Sequence, residues 1–387
     1  MLRRSHKKTR KGSKCDECRR RHIRCDQQHP SCINCQNSER ICTYRSVDRP
    51  RATSTSSSNH APSHSGEEAS REPLSFSRPS ARTANDPLVN IAHLELFHHF
   101  TQSTFLFIDK DTAFTDQLKK TALSSAFSSP YLMHGILAFA ARHLSTQVVA
   151  ERSRHYLDQS TRLQTWAVAN FNPAPREPDR DTCVALFLFS SLICIHGLAD
   201  TALLDRLNPD PFFIRFGQYF GLQRGVRTII VDHWPQLRES EIHTLFQWCE
   251  LLALRKGQGS QCDALRQLVT QSTDLSPAAA EACRLAIELL QCILDEHVPG
   301  HPVPARQVYS TLAWPLLISE KVIDLLVLRR PVALIILAYY GVTLEFCHVW
   351  MVGQVGKHVV HAVNRHLGSS WDSWLRWPCE AIGIELL

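Results

Sequence analysis

The chain has 387 residues, of which 44% are hydrophobic and 21% charged, so it is long enough for two or three domains and most of it can bury a core. No stretch reaches the ~18 unbroken apolar residues typical of a membrane span, and the basic N-terminus lacks the apolar segment of a secretory signal. Residues 1–50 hold 14 Lys and Arg against five Asp and Glu, whereas the remaining residues hold 29 against 32, and such a local positive charge indicates a polyanionic partner.

Composition divides the chain into four predicted segments. Residues 1–14 form a basic arm without apolar periodicity, and residues 15–45 hold six closely spaced cysteines. Residues 46–86 are rich in Ser, Pro, Arg and Thr and predict a disordered linker, because such a composition buries too little apolar surface to offset the entropy of ordering. No heptad repeat follows the cysteines, so no coiled coil is expected there. Residues 87–387 show apolar residues at helical spacing and predict an all-α domain.

Local signals refine the helical prediction. The pairs Ser129–Pro130 and Ser276–Pro277 are typical helix starts, since Pro is favoured in the first turn, and Pro331 is expected to break or restart a helix. The segment 226–234 (VRTIIVDHW) is the one doubtful strand, and the polar stretch 255–275 is expected to be a loop. The predicted fold class is therefore mainly α: a small metal module, a linker and a helical domain.

The six N-terminal cysteines repeat one pattern: Cys15, Cys18, Cys25, Cys32, Cys35 and Cys42 follow C-x2-C-x6-C-x6-C-x2-C-x6-C. Adding 17 to the first three positions gives the last three. Soft thiolates favour zinc, which takes four tetrahedral ligands, and six thiolates fill two zinc sites only if two are shared. Cys15 and Cys32 are the equivalent pair and the natural choice for sharing. A single four-cysteine zinc with two idle thiols is the alternative.

Basic residues cluster on the first half of this cysteine module. Asp16 and Glu17 are suited to the first turn of a short helix after Cys15, and a run of basic residues follows. A rigid basic helix of this size fits the major groove of DNA, where guanidinium groups bind phosphates or guanine edges. The predicted DNA-binding residues are Lys14, Arg19, Arg20, Arg21, His22 and Arg24.

The module resembles the fungal Zn2Cys6 binuclear-cluster transcription factors, with all six cysteines, the basic first loop, the Cys25–Asp26 pair and Pro30 in the connecting loop. The resemblance implies two zinc ions per chain that share two cysteine ligands, and double-stranded DNA as the partner. It places Arg21 and His22 at the end of the first helix, against a CGG-like triplet. Many members carry Lys where this chain has His22. A neutral histidine offers one donor where Lys offers three, so Arg21 or backbone groups are expected to carry more of the readout.

Later segments resemble the regulatory domain of fungal factors of the sterol uptake control type. The matching phrases are HLELFHHFTQSTF (93–105), SPYLMHGILAFAARHLS (129–145), RGVRTIIVDHWPQLRES (224–240), AWPLLISEKVIDLLVLRRPVALIILAYYGV (313–342) and WDSWLRWPCEAIG (371–383). The resemblance implies an all-α domain that forms a homodimer and binds a sterol or other apolar effector. Other members are regulators of single metabolic or secondary-metabolite pathways. Phe187, Phe189, Ile193 and His196 are candidates to line a pocket, although plain core packing is the commoner explanation, and the effector-binding residues are otherwise unknown.

The sequence thus predicts a nuclear, zinc-dependent transcription factor that reads specific sites at genes of RNA polymerase II. It shows no P-loop, dinucleotide fingerprint or nucleophile elbow, so no enzyme is expected. The alternative is a zinc-stapled interaction protein or co-regulator that no longer reads DNA. The eight cysteines beyond the module are expected to be buried, reduced thiols.

Overall fold

The computed structural model describes residues 14–21, 23–28, 31–36, 38, 40–44, 89–104, 113–172, 178–204, 208–297 and 304–386. Of the predicted basic arm (1–14), only Lys14 belongs to these residues; the predicted linker (46–86) and His22 lie outside them. The chain forms two compact units, Met1–Thr83 and Ala84–Leu387. Each has its own cluster of buried side chains.

The smaller unit contains two short helices in equivalent positions. Helix α1 (Asp16–Arg20) and helix α2 (Ile33–Gln36) begin 17 residues apart, as the cysteines do. The backbone carbonyls of Cys15 and Cys32 each accept a hydrogen bond from the amide four residues on, at 3.0 and 2.9 Å. The duplication of the cysteine spacing is therefore also a duplication of backbone structure.

The regular elements among the described residues of the larger unit are all helices, which confirms the mainly-α prediction. Its α-helices are α3 (Ile91–His99), α4 (Ala113–Ser128), α5 (Pro130–Gln147), α6 (Ala150–Ala169), α7 (Arg180–Thr201), α8 (Pro209–Asp232), α9 (Trp234–Arg238), α10 (His243–Leu254), α11 (Asp263–Gln271), α12 (Pro277–Glu296), α13 (Pro304–Leu317), α14 (Glu320–Val327), α15 (Pro331–Phe346), α16 (Val355–Leu367) and α17 (Asp372–Ile382). A π-helix (Phe100–Thr104) extends α3, and a 3₁₀ turn (Ser369–Trp371) precedes α17. The doubtful strand 226–234 is helical through Asp232.

The helix boundaries follow the sequence signals at both predicted starts. Helices α5 and α12 begin at Pro130 and Pro277, and the Ser276 side chain accepts a hydrogen bond from the amide of Ala279. Helix α14 ends before Pro331 and α15 begins at it. Proline lacks the amide hydrogen needed to continue a helix, but it suits the first turn of a new one.

The loop predicted over 255–275 is partly wrong. Residues 255–262 are irregular, but α11 occupies 263–271 within that stretch. Leu265, Leu268 and Val269 share one face of α11 and are buried in the main core. Three apolar residues at helical spacing outweigh the polar composition, since helices in proteins are stabilised mainly by packing one face.

Helix α15 is the centre of the main core. Every residue from Val332 to Leu344 is buried, and helices α11 to α14, α16 and α17 all pack against it. The contact with α16 is close because of two glycines: a Cβ atom on Gly356 would lie 2.3 Å from the carbonyl oxygen of Gly341. No side chain fits between the two helices at that crossing.

Helix α7 joins the main core to a smaller one formed with α3, α5 and α6. Among the described residues, it is the one helix long and apolar enough to cross a membrane by length and composition. Within its most apolar stretch, 56% is buried inside the domain. Its apolar composition is therefore accounted for by contacts on several sides, with α4, α5, α8 and α9.

Candidate nucleic-acid interface and apolar cavity

The cysteine sulfur atoms of the smaller unit converge at its centre. The Sγ atoms of Cys15, Cys18, Cys32 and Cys35 lie within 4.8 Å of one another, and all four residues are buried. Cys15 Sγ is 3.8 Å from Cys32 Sγ and 3.7 Å from Cys35 Sγ, while Cys32 Sγ is 3.6 Å from Cys18 Sγ. Cys15 and Cys32, the pair expected to be shared, thus lie between the other two sulfurs.

The remaining two cysteines lie at the edges of this group. Cys25 belongs to a second cluster of donors with Asp26 and Cys32, again within 4.8 Å. The Cys42 sulfur accepts a hydrogen bond from the amide of Cys32 at 3.3 Å. Cys25 and Cys42 thus each lie beside Cys32, at the edge of the group of four sulfurs.

Zinc suits this donor set. The buried cluster consists of five cysteines, and only Cys42, Ile23 and Tyr44 pack against it among the described residues. A cluster of thiols without an apolar core gives little stabilisation in itself, whereas thiolates are strong ligands for zinc. When bound, zinc holds the two halves together and supplies folding energy; the protein positions the thiols.

Backbone and side-chain hydrogen bonds fix the frame around the cysteines. The amide of Asp16 donates to the carbonyl of Thr43 at 2.9 Å, which joins the start of α1 to the end of the module. The Asp26 carboxylate accepts from the amide of Ile33 at 3.1 and 3.2 Å, capping α2. The Asn34 amide donates to the carbonyl of Arg24 at 2.7 Å. The first half is thereby held against the second at three points.

The predicted DNA-binding side chains are exposed where the structure describes them, and His22 lies outside the described residues. Exposed among them are Lys14, Arg19, Arg20, Arg21 and Arg24. Arg21 ends α1 and its guanidinium donates to Ser38 Oγ at 3.4 Å, while Lys14 Nζ donates to the Ile23 carbonyl at 3.3 Å. The frame thus presents a row of cations to solvent from one short helix and its flanks.

Two of the arginines share one carboxylate, a contact that the sequence did not suggest. Glu17 Oε2 lies 2.8 Å from the Arg20 guanidinium, and Glu17 Oε1 lies 3.0 Å from that of Arg40. The hydrogen bond from Arg20 lowers the pKa of the Glu17 carboxyl, so the group is ionised at neutral pH. Glu17 and Arg40 are 23 residues apart, and no local pattern links them.

A cavity of about 470 Å³ lies within the larger unit, with an almost wholly apolar lining. Its walls come from helices α4, α5, α7, α8, α10 and α13, with single residues from other elements. The polar side chains in the lining include Gln223, which is buried, and Arg227 and Glu250, which are exposed. The volume lies in the ~300–1,000 Å³ range of small-molecule sites, and an apolar lining with a few polar groups is typical of them.

The four pocket candidates on α7 divide between this cavity and the core. Phe187 lines the cavity, together with Leu188, Leu192 and Ile195 on the same helix. Phe189 and Ile193 belong to the smaller core instead, and the His196 ring is 3.2 Å from the hydroxyl of Ser160. Helix α7 is apolar on all sides, so its sequence does not reveal which face meets a cavity.

The eight remaining cysteines are unpaired thiols in the larger unit. Six of them are buried, while Cys249 and Cys347 are half-buried. Burial raises the pKa of the Cys249 thiol, which lines the cavity, to about 11. It is therefore protonated at neutral pH and packs as a small apolar group.

Two family descriptions match the chain. Residues 14–51 match the fungal Zn(2)-Cys(6) binuclear cluster domain, which binds two zinc ions, and residues 95–201 match the fungal specific transcription factor domain. Both describe transcription factors, not enzymes.

Relatives agree with these matches. A Zn(2)-C6 fungal-type transcription factor of Gibberella zeae is 25% identical over 97% of this chain and 86% of its own length. The Zn(2)-C6 fungal-type transcription factor afumD of Aspergillus fumigatus is 25% identical over 88% of this chain and 86% of its own length. Sterol uptake control protein 2 of Saccharomyces cerevisiae is 28% identical over 41% of this chain and 17% of its own length.

Proposed function

We propose that this chain, which carries the zinc-cluster and transcription factor domains of a fungal Zn2Cys6 DNA-binding transcription regulator, acts in the nucleus on genes of RNA polymerase II and reads CGG-like triplets. Zinc holds α1 rigid, and α1 enters the major groove. The observation that carries the proposal is the exposed row of cations beside a buried cluster of cysteine thiols that could hold metal. The frame around this cluster offers guanidinium groups at fixed positions, which base readout requires.

Two zinc ions take all six thiols in the proposed assignment. One is bound by Cys15, Cys18, Cys25 and Cys32, and the other by Cys32, Cys35, Cys42 and Cys15. The short sulfur distances around Cys15 and Cys32 support their sharing. Arg21, at the end of α1, is the proposed base-reading residue. Lys14, Arg19, Arg20 and Arg24 are proposed to bind phosphates, and His22 is proposed to lie beside Arg21 at the DNA.

DNA readout is tested by titrating the zinc-loaded full-length chain with a CGG-containing duplex and a scrambled duplex of equal length. We expect tighter binding to the CGG duplex and a steep fall of affinity with salt, because phosphate contacts release counterions. Arg21→Ala should reduce discrimination between the two duplexes by ~1–3 kcal/mol, whereas Arg24→Ala should weaken both alike. Equal affinity of the unaltered chain for both duplexes would favour the alternative, a zinc-stapled interaction protein or co-regulator.

The larger unit is proposed to bind an apolar effector, such as a sterol, in the cavity. Its apolar walls suit a hydrocarbon skeleton, and the buried Gln223 offers hydrogen-bonding capacity for one polar group. The likeness to a protein named for control of sterol uptake makes ergosterol the first ligand to test, and regulation of sterol, lipid or secondary-metabolite genes is the corresponding proposal.

Ergosterol titration of the full-length chain, followed by tryptophan fluorescence and thermal stability, tests the cavity. Saturable binding should raise the melting temperature. Leu188→Trp narrows the cavity and should weaken binding at least about tenfold, while Leu254→Trp, at an exposed position, should leave it unchanged. If the folded chain does not bind ergosterol, the proposal of a sterol effector is wrong, and the cavity would serve another effector or a docking role.

We also propose that the chain forms a homodimer through residues 87–387. No heptad repeat follows the cysteines, so dimer contacts would come from the helical unit. That unit exposes large apolar side chains such as Leu254 and Val231, at 82% and 67%. Sedimentation of the full-length chain would distinguish a monomer from a dimer.

A further inference from the structure

The carboxylate of Glu17 lies among the cations of the proposed DNA interface. Its side chain is 14% exposed, and it contacts the guanidinium groups of both Arg20 and Arg40. The other acidic side chains described in this unit serve the frame: Asp26 caps α2, and the Asp16 carboxylate is 3.5 Å from the Thr43 hydroxyl. Glu17 is thus the described acid of this unit that pairs with a proposed phosphate-binding residue, Arg20, and it also pairs with Arg40 in the second half of the module.

We infer that Glu17 limits the affinity of the interface for any duplex, because it holds Arg20 and Arg40 and restrains their binding to phosphates. A guanidinium paired with a carboxylate must break or share that pair to bind a phosphate. Phosphate contacts add affinity without sequence information, so restraining two of them lowers the affinity for every duplex and leaves the discrimination between duplexes unchanged. The inference rests on the proposed DNA binding and deepens it.

The exposure of the two arginines sets the expected size of the effect. The Arg20 and Arg40 side chains are 72% and 48% exposed, so each pair with Glu17 is a surface pair that phosphate can displace. Such pairs are weak. Glu17 therefore tunes phosphate binding and does not block it, and its loss should change affinity several-fold.

Glu17→Gln tests the inference, because glutamine keeps the shape of the side chain and removes its charge. With the zinc-loaded full-length chain, we expect affinity for a scrambled duplex to rise about three- to tenfold between about 50 and 200 mM salt, with a salt slope steeper by ~1–2. Affinity for a CGG duplex should rise by a similar factor, so the ratio of the two affinities is kept. Glu281→Gln is the matched control: Glu281 pairs with exposed Arg284 in α12 at 2.7 Å, and its substitution should change neither affinity nor slope.

A second variant identifies the arginine that is released. Arg40→Gln should weaken scrambled-duplex binding little when Glu17 is present and more in the Glu17→Gln background. Unchanged affinity and salt slope in Glu17→Gln would overturn the inference. So would weaker binding to both duplexes, whether zinc content is retained or lost, because Glu17 would then orient the arginines or stabilise the fold. Failure of the unaltered chain to bind DNA would instead refute the proposed function.

Discussion

Removal of zinc with EDTA will abolish DNA binding and unfold residues 14–44, while the larger unit keeps its structure. The buried cluster of the smaller unit is made of cysteines, so without metal it lacks the apolar core that would hold α1 and α2 together. Structural zinc supplies ~10–16 kcal/mol of folding free energy in small domains, which is more than this unit can replace. Hydrogen exchange of the full-length chain, resolved by peptide, will show lost protection in residues 14–44 alone.

Cysteine substitutions inside and outside the zinc module provide a matched comparison for the EDTA experiment. Cys32→Ser removes a proposed shared ligand and should reduce DNA affinity by at least about a thousandfold, to the level of non-specific binding or below. Cys292→Ser changes a buried thiol of α12 and should leave zinc content and DNA binding intact. Protection of residues 14–44 that survives EDTA would contradict the expectation. A stoichiometry of one zinc per chain would instead support a single four-cysteine site.

Replacement of Trp314 by alanine will strongly destabilise the larger unit, by ~3–5 kcal/mol. The Trp314 side chain is fully buried, its ring stacks on Tyr340 with centroids 4.6 Å apart, and its Nε1 donates to the carbonyl of Ala286 at 3.0 Å. Alanine leaves a large cavity between α12, α13 and α15. Urea unfolding followed by fluorescence measures this unit alone, because all eight tryptophans lie in it.

Two further variants separate packing from hydrogen bonding. Trp314→Phe keeps an aromatic ring but loses the donor to Ala286, so it should cost ~1–2 kcal/mol. Trp166→Ala removes the same side chain from a site that is 41% exposed, where it stacks on His134, and should cost about 1 kcal/mol. Equal losses of unfolding free energy for Trp166→Ala and Trp314→Ala would show that the burial of Trp314 adds no extra stability to the core.

The cysteine module shows how far sequence reasoning reaches. The 17-residue repeat predicted that the two halves are equivalent, and α1 and α2 do begin 17 residues apart, because ligand spacing and helix phase are both local properties. The sharing of Cys15 and Cys32 between two zinc ions stays a prediction. The Glu17–Arg40 pair was not predicted, since it joins residues that the cysteine cluster, not the local chain, brings together.

The helical unit shows the same division between local and tertiary information. Pro130, Pro277 and Pro331 mark helix starts because proline fixes φ wherever it occurs. Phe187 was a candidate pocket residue and lines the cavity, but the other walls were not predicted, because they come from six helices whose apolar sequences also suit plain core packing. Helix α11 was missed because its nine residues are mostly polar.

The full burial of α15 has a consequence for synthesis on the ribosome. Helices α11 to α14 precede α15 in the chain and pack against it, yet they leave the exit tunnel before it does. Until Phe346 emerges, the parts of their surfaces that pack against α15 stay uncovered, and the main core closes only near the end of translation. A nascent chain in this interval exposes apolar helices and is a substrate for chaperones, and a chain truncated before α15 has no centre around which to fold.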